Sequence, residues 1–486
     1  MTGDFAATLA AGLARYGERP FIEFDGRWYT GAQITALQTR IDNALQDSGI
    51  RAGEPVGVVV RNRVPHAAAI LAFIAAGRPV VMIYSYQSAS AIAADVGRLR
   101  LAAVLADDQD WTGPVIDAAR TVGCAAIALS LNGVTVIADR TSTAEAVHTE
   151  PGIHILTSGT TGAPKRIPIR TEVLQHTVNS ITHGTVPNPD DPPDVVFWPF
   201  GSIGVCQLLA APFIGKPMVL LEKFTVADWV RAVRTHRIRR SGVQPAMVRM
   251  LLNDPDIRPE DLESLQYLVG GSGPLEWQAR QEFERRFGIP VLWAYGATEF
   301  AGSVCSWTPD LYQQYGSAKP DSSGRPLPGV QVRIIDADTG RELPTGTQGL
   351  LEARVEVMGP DWIRTTDIAS IDDDGFVTIA GRADGAINRG GFKILPETVR
   401  SVLLTHPGVL DAAVVGVPDQ RLGEIPFAAV ELRSGAAIPT EGELQELIRQ
   451  TLPSHHVPVA IAIVDALPRN AAMKVRPADV AELFVR

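Results

Sequence analysis

The segment His154-Ile-Leu-Thr-Ser-Gly-Thr-Thr-Gly-Ala-Pro-Lys165 sets a short apolar run ahead of alternating hydroxyls and glycines and closes on a lysine. A polyphosphate needs groups of this kind: backbone N–H donors free to approach closely, hydroxyl donors, and one mobile cation. No Gly-Lys-Ser/Thr ends the loop, so it is not a Walker loop. Thr-Ser-Gly-Thr-Thr-Gly alone suits an ordinary turn equally well, and the added Pro164-Lys165 tips the reading toward phosphate. Thr157, Ser158, Gly159, Thr160, Thr161, Gly162 and Lys165 are the candidate phosphate-binding residues.

On either side of this loop, apolar runs of strand length alternate with helical patterns. Val56–Val60 (VGVVV) is followed by apolar residues at helical spacing over Pro65–Ala76, then by Pro79–Tyr84 (PVVMIY). Ala102–Ala106, Ala125–Leu129 and Val195–Phe200 repeat the strand signal. Strands interleaved with helices of this length predict α/β layers with mostly parallel sheets. From about Gly329 the texture changes to short alternating strands, QVRIID, GLLEARV and GFVTIAGR, separated by turn residues, which predicts a β-rich subdomain. Beyond Arg382 the runs VLDAAVVGV, FAAVELR, GELQELIRQTL and VPVAIAIVDALP predict a small, separate α+β unit. The expected organisation is a large N-terminal domain, residues 1–382, and a mobile C-terminal domain, residues 383–486.

The 486 residues carry a formal charge of −10 and are 45% hydrophobic, which excludes a disordered chain and argues against a nucleic-acid binder. Ala67–Gly77 is too short to span a bilayer, and no secretory signal is evident at the start, so a soluble, cytoplasmic protein is expected. The three cysteines have neither metal spacing nor a disulfide framework. Asp372-Asp373-Asp374-Gly375 reads as a turn rather than a calcium loop, and His455-His456 as a solvated loop. Of 44 basic residues only six are lysines: Lys165, Lys216, Lys223, Lys319, Lys393 and Lys474. A lysine retained in a chain that otherwise writes arginine is a candidate for chemistry that needs a compact, mobile charge.

The loop resembles the signature of the adenylate-forming superfamily, which includes acyl-CoA synthetases, peptide-synthetase adenylation domains and luciferases. VGGSGPL (Val269–Leu275), YGATE (Tyr295–Glu299), RTTDIA (Arg364–Ala369), GRADGAINRGGFKILPETV (Gly381–Val399) and PRNAAMK (Pro468–Lys474) resemble the family's remaining motifs. Each is weak alone; six in order across about 320 residues are specific. The resemblance implies ATP-dependent activation of a carboxylic acid as an acyl-adenylate. Both reactants are anions, so their repulsion and the growing charge at the α-phosphorus must be offset. It implies Lys474, Thr298 and Glu299 as catalytic residues, with Glu299 holding Mg²⁺. It places Gly271, Ser272, Ala294, Tyr295, Gly296, Asp367, Ile379 and Arg382 around adenine and ribose, Asp384 at the hinge, and Gly390, Gly391 and Lys393 along a CoA channel.

Three positions depart from the family pattern. Arg166 replaces a glycine and is expected to set an extra cation beside the phosphate loop. Asn388 replaces a frequent lysine, and Met473 replaces the glycine before the terminal lysine, where a Cβ should forfeit positive φ. The expected acyl pocket (Phe200, Gly201, Gly271, Ala297 and Val304) has no carboxylate for an α-ammonium. It therefore suits an aryl or medium-chain acid better than a free amino acid. For the acceptor, CoA, an amine and a carrier-protein thiol stay open, as does a nucleotide-binding relic with no activity. Oligomeric state is not legible.

Overall fold

Val56–Val60 is buried at every position, as a parallel strand covered on both faces must be. The computed structural model describes residues 5–142, 148–157, 165–182, 191–201, 204–297, 300, 302–470 and 473–484. These fall into two units, Met1–Arg239 and Arg240–Arg486. In the first, a seven-stranded sheet runs Val134–Ala138, Ala125–Leu129, Ala103–Asp107, Val56–Val60, Val80–Tyr84, Gly152–Thr157, Lys165–Arg170. The five inner strands are mutually parallel and the two edges antiparallel. Helix Val64–Ala75 matches the spacing read from the sequence and starts with proline in its first turn, where no backbone donor is wasted. Helix Ala89–Leu99 is capped by Ser88, which accepts from Ala91 N. Val59, Val81, Ile83, Val96 and Val115 fuse into one core, each side chain contributing about 1.5–3 kcal/mol by burial.

A second sheet in this unit joins Asp194–Val196, Met218–Leu220, Pro20–Phe24 and Arg27–Thr30. The strand predicted over Val195–Phe200 stops at Val196. Asn62 is the reason: its Nδ2 donates to Trp198 O (3.0 Å) and its Oδ1 accepts from Phe200 N (3.1 Å). A side-chain amide takes the place of a ladder partner, and Pro199 offers no donor of its own.

The second unit opens with the parallel strands Arg240–Val243, Tyr267–Gly270 and Val291–Ala297, extended antiparallel by Gly302–Ser306 and Arg325–Pro326. The predicted β-rich segment is a four-stranded antiparallel sheet, Val330–Ile335, Gly349–Val355, Ile363–Ile371 and Val377–Arg382. After it, Val409–Asp419 and Gly423–Leu432 pair over ten positions. Ile461–Val464 adds in parallel, and the hairpin Ile387–Arg389/Phe392–Ile394 joins through Arg389. Helices Pro396–Leu403 and Glu441–Thr451 bury Leu403, Leu444 and Ile448 against this sheet. Thr440 and Glu443 form a reciprocal capping box on the second helix. The α/β layers, β-rich subdomain and terminal α+β segment thus follow the sequence reading. No helix among the described residues is long and apolar enough to cross a membrane.

Candidate active site

Three of the residues expected around the nucleotide lie on one strand pair. In the antiparallel register Asp367 lies opposite Arg382, Ile368 opposite Gly381, and Ala369 opposite Ile379. A carboxylate, a guanidinium and an apolar side chain are thereby gathered although Asp367 and Arg382 stand 15 positions apart in sequence. Tyr295, on Val291–Ala297, donates its hydroxyl to Asp367 Oδ2. Asp367 N donates to Thr365 Oγ1 (3.0 Å), which in turn donates to Leu351 O (2.9 Å), so the acid is fixed from two sides. Burial first, then the Asp367 charge, pushes the Tyr295 phenol far above its ordinary value. Tyr295 therefore stays a protonated donor.

Arg382 forks onto Asp384, Nε to Oδ1 at 2.8 Å and Nη2 to Oδ2 at 2.7 Å. The guanidinium, with burial opposing, holds the Asp384 carboxyl below the usual range. The residue assigned to ribose and the residue assigned to the hinge are thus one bidentate pair, which the sequence reading had kept apart. Beside them stands an unanticipated group, Glu397, whose Oε2 is buried without a hydrogen-bond partner among the described residues. A Cβ on Gly381 would sit 2.9 Å from that oxygen. Burial, partly offset by Arg400 and Arg382, raises the Glu397 carboxyl. Its only sequence signal is an acid in the first turn of a Pro-initiated helix, which reads as an ordinary helix start.

Gly271 approaches Ala294 O so closely that a Cβ would lie 3.1 Å from it, and Ser272 turns at φ 69°. At Gly296 any Cβ would overlap the Gly302 backbone across the strand pair. Val304 is fully buried in a core with Phe300 and Val330, and Ala297 packs against that core. On the first unit Phe200 is buried, and a Cβ on Gly201 would overlap the Tyr84 ring. Tyr84, which the sequence reading missed, donates to Leu156 O at 2.6 Å on the strand leading into the expected phosphate loop.

That strand pairs with Lys165–Arg170 as far as Thr157 opposite Lys165, so the loop leaves and returns at adjoining backbone positions. Ser158, Gly159, Thr160, Thr161 and Gly162 lie outside the described residues, as do Thr298, Glu299 and the side chains of Thr157 and Lys165. Arg166 corrects an expectation. Its buried guanidinium donates to Met82 O and pairs with Asp95 at 3.2 Å, so it acts as a packed structural ion rather than a spare cation beside the loop. Two of the six lysines are likewise structural: Lys216 pairs with Asp194 at 3.3 Å, and Lys319 bridges Asp372 and Asp374 at 2.7 and 2.5 Å. The acidic triplet is accordingly a turn, closed by Gly375 N donating to Asp372 O.

Lys474 sits exposed in a loop closed on itself. Asn470 N donates to Lys474 O (2.8 Å), and Lys474 N donates to Asn470 Oδ1 (3.0 Å). Met473 occupies φ 59°, so the left-handed turn expected to be lost with glycine is kept by a residue that has a Cβ. Gly390 and Gly391 turn the hairpin at φ 59° and 93°. A Cβ on Gly391 would meet nothing within 4 Å, and Lys393 is exposed opposite Asn388.

Comparison with known proteins identifies the family. The AMP-binding enzyme family matches residues 9–358, and the AMP-binding enzyme C-terminal domain matches residues 398–474. A 4-coumarate–CoA ligase-like 9 protein from Oryza sativa subsp. japonica is 29% identical, over 95% of this chain and 88% of its own. A 2-succinylbenzoate–CoA ligase from Bacillus pumilus is 31% identical, over 66% of each. Among solved structures, the amide bond synthetase McbA from Marinactinospora thermotolerans superposes with a TM-score of 0.81 at 25% identity, covering 99% of this chain and 100% of that one. The chain therefore belongs to the AMP-binding enzymes of the adenylate-forming superfamily, which are ATP-dependent ligases.

Proposed function

We propose that the protein is an AMP-forming acid–thiol ligase that activates an aryl or medium-chain carboxylic acid and transfers it to CoA. The observation that carries the nucleotide half is the Tyr295–Asp367–Arg382 arrangement on adjoining strands. Asp367 would accept from ribose hydroxyls, Tyr295 would hold the acid in place while its ring faces adenine, and Ile379 would flank the base. The phosphate loop, from Thr157 to Lys165, would cradle the polyphosphate. Glu299, a hard oxygen donor, suits the Mg²⁺ that accompanies ATP and neutralises phosphate charge. Thr298 would donate to the α-phosphate.

Lys474 would stabilise charge developing between the acyl carboxylate and the α-phosphorus as pyrophosphate leaves. A compact cation on a flexible stem suits that task, and losing one such donor costs about 100- to 1000-fold in rate. The C-terminal domain, residues 383–486, would rotate about Asp384 between the two half-reactions, bringing Gly390, Gly391 and Lys393 to the pantetheine arm.

CoA is favoured over an amine on two grounds. The curated relatives above are named as CoA ligases. Departures from the family pattern would favour an acceptor other than CoA, but two of the three have lost their force, since Arg166 is neutralised by Asp95 and Met473 retains the positive φ. The amine reading rests on Asn388 and on the likeness to an amide bond synthetase over the full chain.

The test is acid-dependent ATP–pyrophosphate exchange across aryl and C4–C12 acids, followed by preformed acyl-adenylate offered to CoA, simple amines and carrier thiols. Saturable transfer to CoA that falls when Gly391 is made bulky is the expected result. Faster capture by amines, with CoA no better than a generic thiol, overturns the choice of acceptor. Absence of exchange with every acid, in protein that still binds ATP, overturns the ligase reading and leaves a nucleotide-binding relic.

A further inference from the structure

Asp411, on the strand Val409–Asp419, is 2% exposed, yet it faces three arginines. It accepts from Arg400 Nη2 at 2.6 Å and from Arg469, and Arg249 Nη1 stands 3.5 Å away. Glu276 closes the circuit, pairing with Arg249 at 2.5 Å and with Arg400. Glu431 lies 3.7 Å from Arg469. Burial alone would raise the Asp411 carboxyl, but the charges of Arg249, Arg400 and Arg469 outweigh it and hold the acid far below its ordinary value. Glu276 is lowered in the same way. Both carboxylates are therefore ionised throughout the neutral range.

Buried ion clusters are a weak source of net stability, because desolvation offsets the attraction, whereas removing one partner is costly. What such a cluster does well is specify one arrangement. Here the arrangement ends at the lysine loop. Arg469 uses Nη2 for Asp411 and Nη1 for Met473 O, at 3.3 Å. Met473 is the residue held at φ 59°, and Lys474 follows it directly. Arg249 and Glu276 precede the boundary proposed at residue 382, while Arg400, Asp411 and Arg469 follow it.

We infer that Arg469 and Asp411 are positioning residues for Lys474, and that Arg249 and Glu276 make this positioning depend on where the C-terminal segment sits. The inference rests on the role proposed above for Lys474. Arg469 clamps the carbonyl that precedes the lysine, and Asp411 clamps Arg469. When the segment moves away from Arg249 and Glu276, Arg400 and Asp411 lose their outer partners and the clamp slackens. The loop that presents the lysine is thus set for adenylation in one placement and released in another.

The test uses the full chain and ATP–pyrophosphate exchange with the acid that the screen identifies. Arg469→Gln and Asp411→Asn are measured alone and combined with Lys474→Ala. Misplacing a catalytic group by about 1 Å costs about 100-fold, so each variant alone should lower turnover by ~10- to 100-fold with the KM for ATP held within about twofold. In the Lys474→Ala background the same changes should alter turnover less than about twofold, because the group they position is gone. Arg469→Lys should fold well and keep its pairing with Asp411, yet stay slow, since an ammonium lacks the two-pronged fork. If Asp411→Asn does not fold, Arg469→Gln, at the more exposed rim of the cluster, carries the test. Equal losses in both backgrounds, or a raised KM at unchanged turnover, overturn the inference. Exchange unaffected by Lys474→Ala overturns the proposed role of the lysine, and the inference falls with it. Loss with Lys474→Ala but not with the two clamp variants overturns the inference alone.

Discussion

Restoring the family's glycine at position 166 should damage this protein. Arg166 is packed where its guanidinium donates to Met82 O and His154 O and pairs with Asp95, both ionic side chains being less than a tenth exposed. Burial pushes the guanidinium down, and the Asp95 charge offsets part of that. Arg166→Gly leaves Asp95 with Arg98, which is 63% exposed and far better hydrated, and strips donors from two carbonyls. Breaking a buried pair from one side costs about 3–5 kcal/mol, and a glycine within a strand adds about 0.5–1 kcal/mol of backbone freedom. Since Arg98 retains part of the pairing, about 3 kcal/mol is the expected loss. For a unit of this size that lowers the melting midpoint by roughly 10 °C. The assay is thermal unfolding of Arg166→Gly, Asp95→Ala and the double variant. The double variant should recover part of the loss, with a coupling of about 1.5–3 kcal/mol. A single-variant loss below about 1 kcal/mol, with coupling under about 0.5 kcal/mol, would show that Arg166 is not the buried structural ion described above.

At the proposed nucleotide site, Tyr295→Phe keeps the ring but deletes the donor to Asp367. A hydrogen bond to a charged group is worth about 1.5–3 kcal/mol, so the KM for ATP should rise roughly tenfold or more, with turnover little changed. An unchanged KM would mean that the phenol does not hold Asp367 for the nucleotide. At Met473, glycine should leave exchange within about twofold, whereas Met473→Val should slow it strongly, because a β-branched residue resists φ 59°; equal activity of the two would show that the left-handed turn is dispensable. Glu54 predicts an acid limb: burial would raise its carboxyl, but Arg140 and the Arg51 N–H hold it at about 2, against an ordinary 4.5. A depressed folded-state pKa contributes stability above about pH 4.5 that is lost as pH falls toward 2. The stability gap between the parent chain and Glu54→Gln, followed by urea unfolding, should therefore be full at pH 7 and close over that window; a gap independent of pH would refute the pairing.

Much of this architecture is written locally. The all-buried Val56–Val60, the helix over Val64–Ala75, the alternating Val330–Ile335 and Gly349–Val355, and the Gly390-Gly391 turn each follow from the pattern of adjacent residues. The ordered motifs likewise sufficed to identify the superfamily. What the sequence by itself could not determine is how charges are partnered. Arg166 finds Asp95 71 residues away, Tyr295 finds Asp367 at 72, and Arg400 finds Glu276 at 124. An ion pair or side-chain hydrogen bond acts over a few ångströms and leaves no periodic trace along the chain, so only the placement of whole elements decides which charge meets which. The same cause turned Lys216 and Lys319 from candidate chemistry into structural ions and ended the strand at Val196, where an amide 136 residues earlier in the chain captured Trp198 O. Residue type and order determined what chemistry was available; tertiary contact decided which of those groups were already taken.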